Sequence, residues 1–214
     1  MHTTQSATDR AYRYAKDAIL TRRYAGGELI SEGTIATGVG VSRTPVREAL
    51  LRLEAEGLVR LFPKRGALVV PVSQAEIDDV IETRRLVEGY TAERAAAAGA
   101  EERAGLTARL TALLDRMRDE LDGDRRAFIV ADREFHRAVV AAAGNTILTE
   151  LYDALRDRQL RMMEEGARTA DRMRANITEH AAILAAVRDG DTGAAAAAVG
   201  AHLDSAARLL GARR

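Results

Sequence analysis

The chain has 214 residues, with 32 basic and 32 acidic side chains, 47% hydrophobic residues and no cysteine. That composition can build a buried core, and it excludes disulfides and thiolate metal sites. The N-terminus lacks the apolar stretch of a signal peptide, and no window reaches the roughly 18 apolar residues of a membrane span, so a cytoplasmic protein without membrane contact is expected.

The balanced total hides an asymmetry. Residues 1–72 hold 11 Lys/Arg against 7 Asp/Glu, whereas residues 73–214 hold 21 against 25. A basic piece joined to an acidic piece fits a DNA-binding domain with a separate partner domain.

Residues 9–22 space Ala11, Tyr14, Ala15, Ala18 and Ile19 for one face of a first helix. Tyr24 to Glu28 reads as a turn, and a second helix is expected from Ser31 to Val39. Gly33 and Gly38 weaken that helix by about 1 kcal/mol each relative to alanine. After a tight turn at Gly40, a third helix spans Arg43 to Glu56, with Pro45 in its first turn, where the missing N–H costs nothing. Val46, Ala49, Leu50 and Leu53 form its buried stripe, and Gly57 ends it. Two strands, Leu58 to Phe62 and Ala67 to Val70, flank a turn at Pro63 to Gly66. Three helices followed by a hairpin is the order of a winged helix-turn-helix.

From Ser73 onward the chain is rich in Ala, Leu and Arg and reads as about six helices, near 74–98, 103–121, 124–143, 146–165, 168–189 and 192–211. The breaks fall at Gly99, Asp122-Gly123, Gly144-Asn145, Gly166 and Gly190-Asp191. Long helices with short connections predict an antiparallel bundle. The expected fold is therefore mainly α, with domains at 1–72 and 73–214.

Arg43 and Arg47, four residues apart at the start of the third helix, share a face beside the apolar stripe. Burying that stripe points both guanidiniums outward, where arginine can pair with guanine in the major groove. Ser42, Thr44 and the exposed N–H groups of the first turn suit phosphate oxygens. Lys64, Arg65 and Gly66 at the hairpin tip would meet the DNA backbone or minor groove. On a lone amphipathic helix the same arginines would be ordinary solvated surface; the order of elements around them favours DNA.

The motifs that carry this are Gly27-Glu-Leu-Ile-Ser-Glu32, Gly40-Val-Ser-Arg-Thr-Pro-Val-Arg-Glu-Ala-Leu50, Arg52-Leu-Glu-Ala-Glu-Gly-Leu-Val59 and Arg65-Gly-Ala67. Over residues 9–72 the chain resembles the GntR family of bacterial regulators. The resemblance implies DNA contacts by Arg43, Thr44, Arg47 and the wing around Gly66, and a homodimer on a pseudo-palindromic operator in double-stranded DNA. One departure is Gly33, where members often carry a basic or polar residue, so the operator sequence does not carry over.

The chain has four histidines, and all but the terminal His2 lie in the second half. Asp132 precedes His136 by four residues, so the two side chains converge from one helix face. His180 and His202 stand on later helices among apolar neighbours, where an unpartnered imidazole is costly. Such N/O donors suit a divalent metal; histidines packed into the core are the other reading. Residues 73–211 resemble the helical FCD effector domain of the FadR-type GntR subfamily. The resemblance rests on Ile81-Glu-Thr-Arg-Arg-Leu-Val-Glu88, Asp132-x-x-Phe-His136, Glu179-His-x-x-Ile-Leu184, Gly190-Asp191 and Ala201-His-Leu203. It implies a metal, Zn, Ni or Mn, on Asp132, His136, His180 and His202, and a transcriptional repressor controlled by a small effector. A site of net positive charge favours a carboxylate effector. Arg84 could bind that carboxylate or instead pair with Glu88 at i+4, and Asn176 could face the same cavity.

Two other functions compete. A metal-dependent hydrolytic enzyme would need a general base, and Glu134 points elsewhere on its helix; no enzyme is expected. A DNA-binding dimer without a ligand would bind no metal.

Overall fold

The computed structural model describes residues 6–162 and 169–211. His2, the predicted helix end at 165 and the predicted break at Gly166 lie outside the described residues. The chain divides into two compact units between Ser73 and Gln74.

In the first unit, α1 spans Ala7–Leu20, α2 Glu32–Val39 and α3 Arg43–Ala55. The start of α1 is two residues earlier than expected because Ser6 caps it, its hydroxyl accepting from Asp9 N at 3.0 Å. Ser31 caps α2 in the same way through Thr34 N. The hairpin, β2 (Val59–Phe62) and β3 (Gly66–Val69), gains a third strand that the sequence did not suggest. This is β1, Leu29–Ile30, which pairs antiparallel with β3 in the order β1-β3-β2. Two residues are too few to show an alternating pattern. Ile30, Leu50, Leu53, Leu58 and Val69 close one apolar core between helices and sheet.

Two glycines are required by close approach. A Cβ on Gly38 would meet the Tyr14 hydroxyl, which accounts for a glycine that otherwise weakens α2. A Cβ on Gly66 would meet the Ile30 carbonyl, and its φ of +112° is outside the range that other residues adopt readily.

Among the described residues the second unit holds six helices: α4 (Gln74–Ala96), α5 (Ala100–Asp119), α6 (Arg125–Ala142), α7 (Thr146–Met162), α8 (Ala170–Asp189) and α9 (Thr192–Gly211). Helix α5 begins at 100, earlier than expected, because Gly99 is its N-cap and Glu102 reaches back to Gly99 N. Helix α4 packs on α6 and α9, α5 on α6 and α8, and α8 on α9. Two apolar clusters fill the unit, one around Phe135, Ile183 and Leu203 and one around Phe128, Met117 and Met173. The candidate site lies between α4, α6, α7, α8 and α9.

Candidate functional site

In the first unit, Val46, Ala49, Leu50 and Leu53 are buried as expected, and Ser42, Arg43, Thr44 and Arg47 are exposed. Ser42 is the N-cap of α3, yet its side chain makes no capping hydrogen bond. The Ser42 side chain thus does not cover the first-turn N–H groups, in contrast to the capped starts of α1 and α2. Arg47 remains 69% exposed on its side chain while Nε bonds Glu32 at 2.7 Å, so the guanidinium is oriented without being covered. A Cβ on Gly33 would lie 3.7 Å from Arg43 Nη2. The missing side chain leaves room beside the Arg43 guanidinium. At the wing, Lys64 and Arg65 are exposed and Gly66 is half-buried. Lys64 has φ +62°, a left-handed turn conformation that costs a lysine about 1 kcal/mol.

In the second unit, the three imidazoles meet. Ring centroids of His136, His180 and His202 are 4.7–4.9 Å apart, and one ligand atom from each lies within 4.8 Å of the others. All three are buried. Asp132 adjoins them, with Oδ1 3.5 Å from His180 Nε2, and it accepts a hydrogen bond from Asn176 Nδ2 at 2.6 Å.

Each imidazole has a second neighbour on Nδ1. His180 Nδ1 donates to the Asn176 carbonyl at 2.7 Å, which fixes the tautomer with a lone pair on Nε2. His202 Nδ1 lies 2.7 Å from Glu179 Oε2, and His136 Nδ1 lies 3.0 Å from Glu88 Oε2. Nε2 of His136 and of His180 are buried and have no hydrogen-bond partner among the described residues. An acceptor behind Nδ1 with Nε2 open is the arrangement found behind histidines that ligate metals.

Two groups in this shell were not singled out from sequence. Glu88 is 1% exposed; its Oε2 lies beside His136, and its Oε1 accepts hydrogen bonds from Arg84 Nε and the Tyr152 hydroxyl, at 2.5 and 2.9 Å. Glu179 is held by Arg172 at 2.9 Å as well as by His202. The i+4 pairing of Arg84 with Glu88 was legible, but that the pair is buried behind a histidine was not. Arg84 also lines the cavity that adjoins the trio, as does Asn176.

The electrostatics favour neutral imidazoles at His180 and His202 beside ionised carboxylates. Burial, then the neighbouring His136, lowers the His180 pKa to about 3. Burial also lowers His202, against the pull of Glu179. Burial opposes charge on Glu179, but its bonds from His202, Arg172 and Ser205 outweigh it and hold the pKa at about 2. Burial likewise opposes charge on Glu88, and Arg84 and His136 outweigh it, so Glu88 lies well below the usual carboxylate range. Burial and then Glu88 push the Tyr152 phenol up, so it stays a hydrogen-bond donor. Neutral imidazole is the metal-binding form. With one ligand atom from each ring within 4.8 Å of the others, the three-histidine cluster could hold a metal ion.

A winged helix-turn-helix with an exposed recognition helix, followed by a six-helix unit with a buried polar centre, defines a DNA-binding regulator with a separate sensing unit. The comparisons agree. The pattern of the bacterial regulatory proteins of the gntR family matches residues 7–69, and that of the FCD domain matches residues 79–205. An HTH-type transcriptional regulator from an unstable DNA locus of Streptomyces ambofaciens is 31% identical over 95% of this chain and 85% of its own length. The gluconate operon transcriptional repressor of Bacillus subtilis is 30% identical over 61% of this chain and 52% of its own. The crystal structure of a GntR regulator from Rhodococcus sp. RHA1 superposes with a TM-score of 0.78 at 25% identity, covering 98% of this chain and 100% of that one. This chain belongs to the GntR family, in the subfamily with a C-terminal FCD domain. It is a DNA-binding transcriptional regulator of a family whose members are regulators and not enzymes. Among the described residues no helix is long and apolar enough to cross a membrane.

Proposed function

We propose that this regulator is a cytoplasmic repressor that binds a pseudo-palindromic operator as a homodimer and leaves it when a small carboxylate enters the C-terminal cavity. Asp132, His136, His180 and His202 hold a divalent metal, Zn, Ni or Mn, at the floor of that cavity. One observation carries the metal reading: Nε2 of His136 and His180 are buried and without a partner among the described residues, while each Nδ1 faces an acceptor. When bound, such a metal offers open coordination positions to an anion.

The protein's own groups do the rest. Asn176 orients Asp132, and Glu88 and Glu179 orient His136 and His202. Arg84 spends Nε on Glu88 and turns its remaining N–H groups to the effector carboxylate. Residues 1–72 read DNA: Arg43 and Arg47 on base edges, Ser42, Thr44, Lys64, Arg65 and the Gly66 wing on the backbone. Residues 73–214 bind the effector and pair the protomers. Leu86 and Tyr90 on α4, and Ile147 and Leu151 on the adjacent α7, support pairing, because all four are large, apolar and exposed. The repressor named among the relatives supports repression as the mode. The effector acts only as far as it binds the released state more tightly than the DNA-bound one.

The test is selection of a binding site from random duplexes, followed by titration of that duplex with metal-loaded protein. A two-fold-related site should emerge, and a carboxylate effector should weaken binding about 5- to 150-fold. Chelation or His136→Ala should remove the response to acid while operator binding persists. A response that survives both would contradict the metal reading, and failure to select any preferred sequence would contradict the recognition-helix assignment.

A further inference from the structure

The cavity beside the histidine trio has a volume of about 100 Å³, which is room for a small organic molecule and not just one water. Much of its wall is apolar, from Val80, Ile81, Phe128, Met173 and Leu209. Most of its polar groups are already engaged. Arg84 and Tyr152 bond Glu88, Arg172 bonds Glu179 and Asn176, and Asn176 bonds Asp132.

Two polar groups on the wall stand apart. Arg133 Nε on α6 and Gln159 Nε2 on α7 are buried and have no hydrogen-bond partner among the described residues. Both are donors, and neither serves the histidine trio. Buried donors without acceptors are rare because the loss of water goes uncompensated. Two of them on facing helices, lining one cavity, point to an acceptor-rich group that arrives from outside.

The charges agree. The cations Arg84 and Arg172 are matched within the wall by Glu88 and Glu179. Arg133 has no carboxylate partner among the described residues. A monocarboxylate held at the trio would leave that cation unmatched. Arg133 stands three residues before His136 and so neighbours it on the same helix, and Gln159 follows Tyr152 by two helical turns on the same face of α7. The second pair of donors thus lines the same cavity as His136 and His202, where a short molecule with one end at the histidines would lie.

We infer that the cavity carries a distal anion subsite made by Arg133 and Gln159, and that the effector is a small dicarboxylate with an apolar linker. This rests on the reading above that one carboxylate binds at the histidine trio. Arg133 supplies charge-assisted bonds to the second carboxylate, and Gln159 Nε2 donates to its other oxygen.

Calorimetric titration of the full chain, reconstituted with Zn²⁺, Ni²⁺ or Mn²⁺, tests this with length-matched pairs: succinate against butyrate and glutarate against pentanoate. The diacids should bind about tenfold tighter or more, the range of a charge-assisted hydrogen bond. R133M should remove the preference while metal content and monoacid affinity stay as in the parent, R133K should restore part of it, and Q159L should reduce it by a smaller factor. Equal binding of diacid and monoacid overturns the distal subsite and leaves the carboxylate reading standing. A preference that survives R133M overturns its assignment to Arg133. Binding of none of the four acids to metal-loaded protein overturns the carboxylate reading, and the distal subsite with it.

Discussion

The two units of this regulator keep their polar chemistry in opposite places. The N-terminal unit has a dry core of Ile30, Leu50, Leu53 and Val69 and carries its arginines on the surface. The C-terminal unit buries its polar chemistry: Arg84, Glu88, Thr91, His136, Asn176, His180 and His202 are the buried polar residues of the described chain, and all lie there. A surface that reads DNA needs only a rigid platform beneath it. A sensing site must exclude water to give its charges weight, so it takes up volume that apolar side chains would otherwise fill. On the function proposed above, function and stability are separable in the first unit, whereas in the second they share the same residues.

The largest effect is expected where they are shared. Glu88→Ala leaves Arg84 charged and buried without its partner, and should cost about 3–5 kcal/mol in denaturant unfolding. The same substitution should weaken metal binding about 10- to 100-fold by freeing the His136 ring. A loss below about 1 kcal/mol, the worth of a surface pair, would show that the centre is wetter than its burial indicates.

Gly66→Ala should come next. Its Cβ meets the Ile30 carbonyl and its φ is positive, so the β1–β3 pairing must yield. The expected cost is about 2–3 kcal/mol, confined to melting of the N-terminal unit, and histidine-site loading should be unchanged.

Arg43→Ala and Arg47→Ala should each lower operator affinity by about 1–3 kcal/mol and relax sequence preference at the contacted base, as read by titration of the selected duplex. Neither should move the melting temperature, since both are exposed and the Arg47–Glu32 pair is a surface pair. A fall in stability comparable to the fall in affinity would break the separation drawn above. Ser31→Ala is the smallest change. It removes the α2 cap and should cost about 1 kcal/mol by unfolding.

Much of this was legible in sequence because it is periodic. The α3 stripe repeats at helical spacing, and Asp132 and His136 are one turn apart, so both could be read without knowing what packs against them. What escaped notice depends on distant packing. β1 is two residues whose only signature is its pairing with Leu68 and Ala67. Glu88 looks like any i+4 partner of Arg84 until α6 and α7 bring His136 and Tyr152 against it. Arg133 beside Asp132 reads as one more arginine in an arginine-rich chain, and only the cavity distinguishes it.

The central claim is that the three histidines are ligands and not packing residues. Elemental analysis of untagged protein, purified without chelator and compared with His136→Ala, tests it most directly. The account predicts about one divalent metal per chain in the parent and its loss in the variant. A parent chain that stays free of metal after reconstitution with Zn²⁺, Ni²⁺ and Mn²⁺ would contradict it.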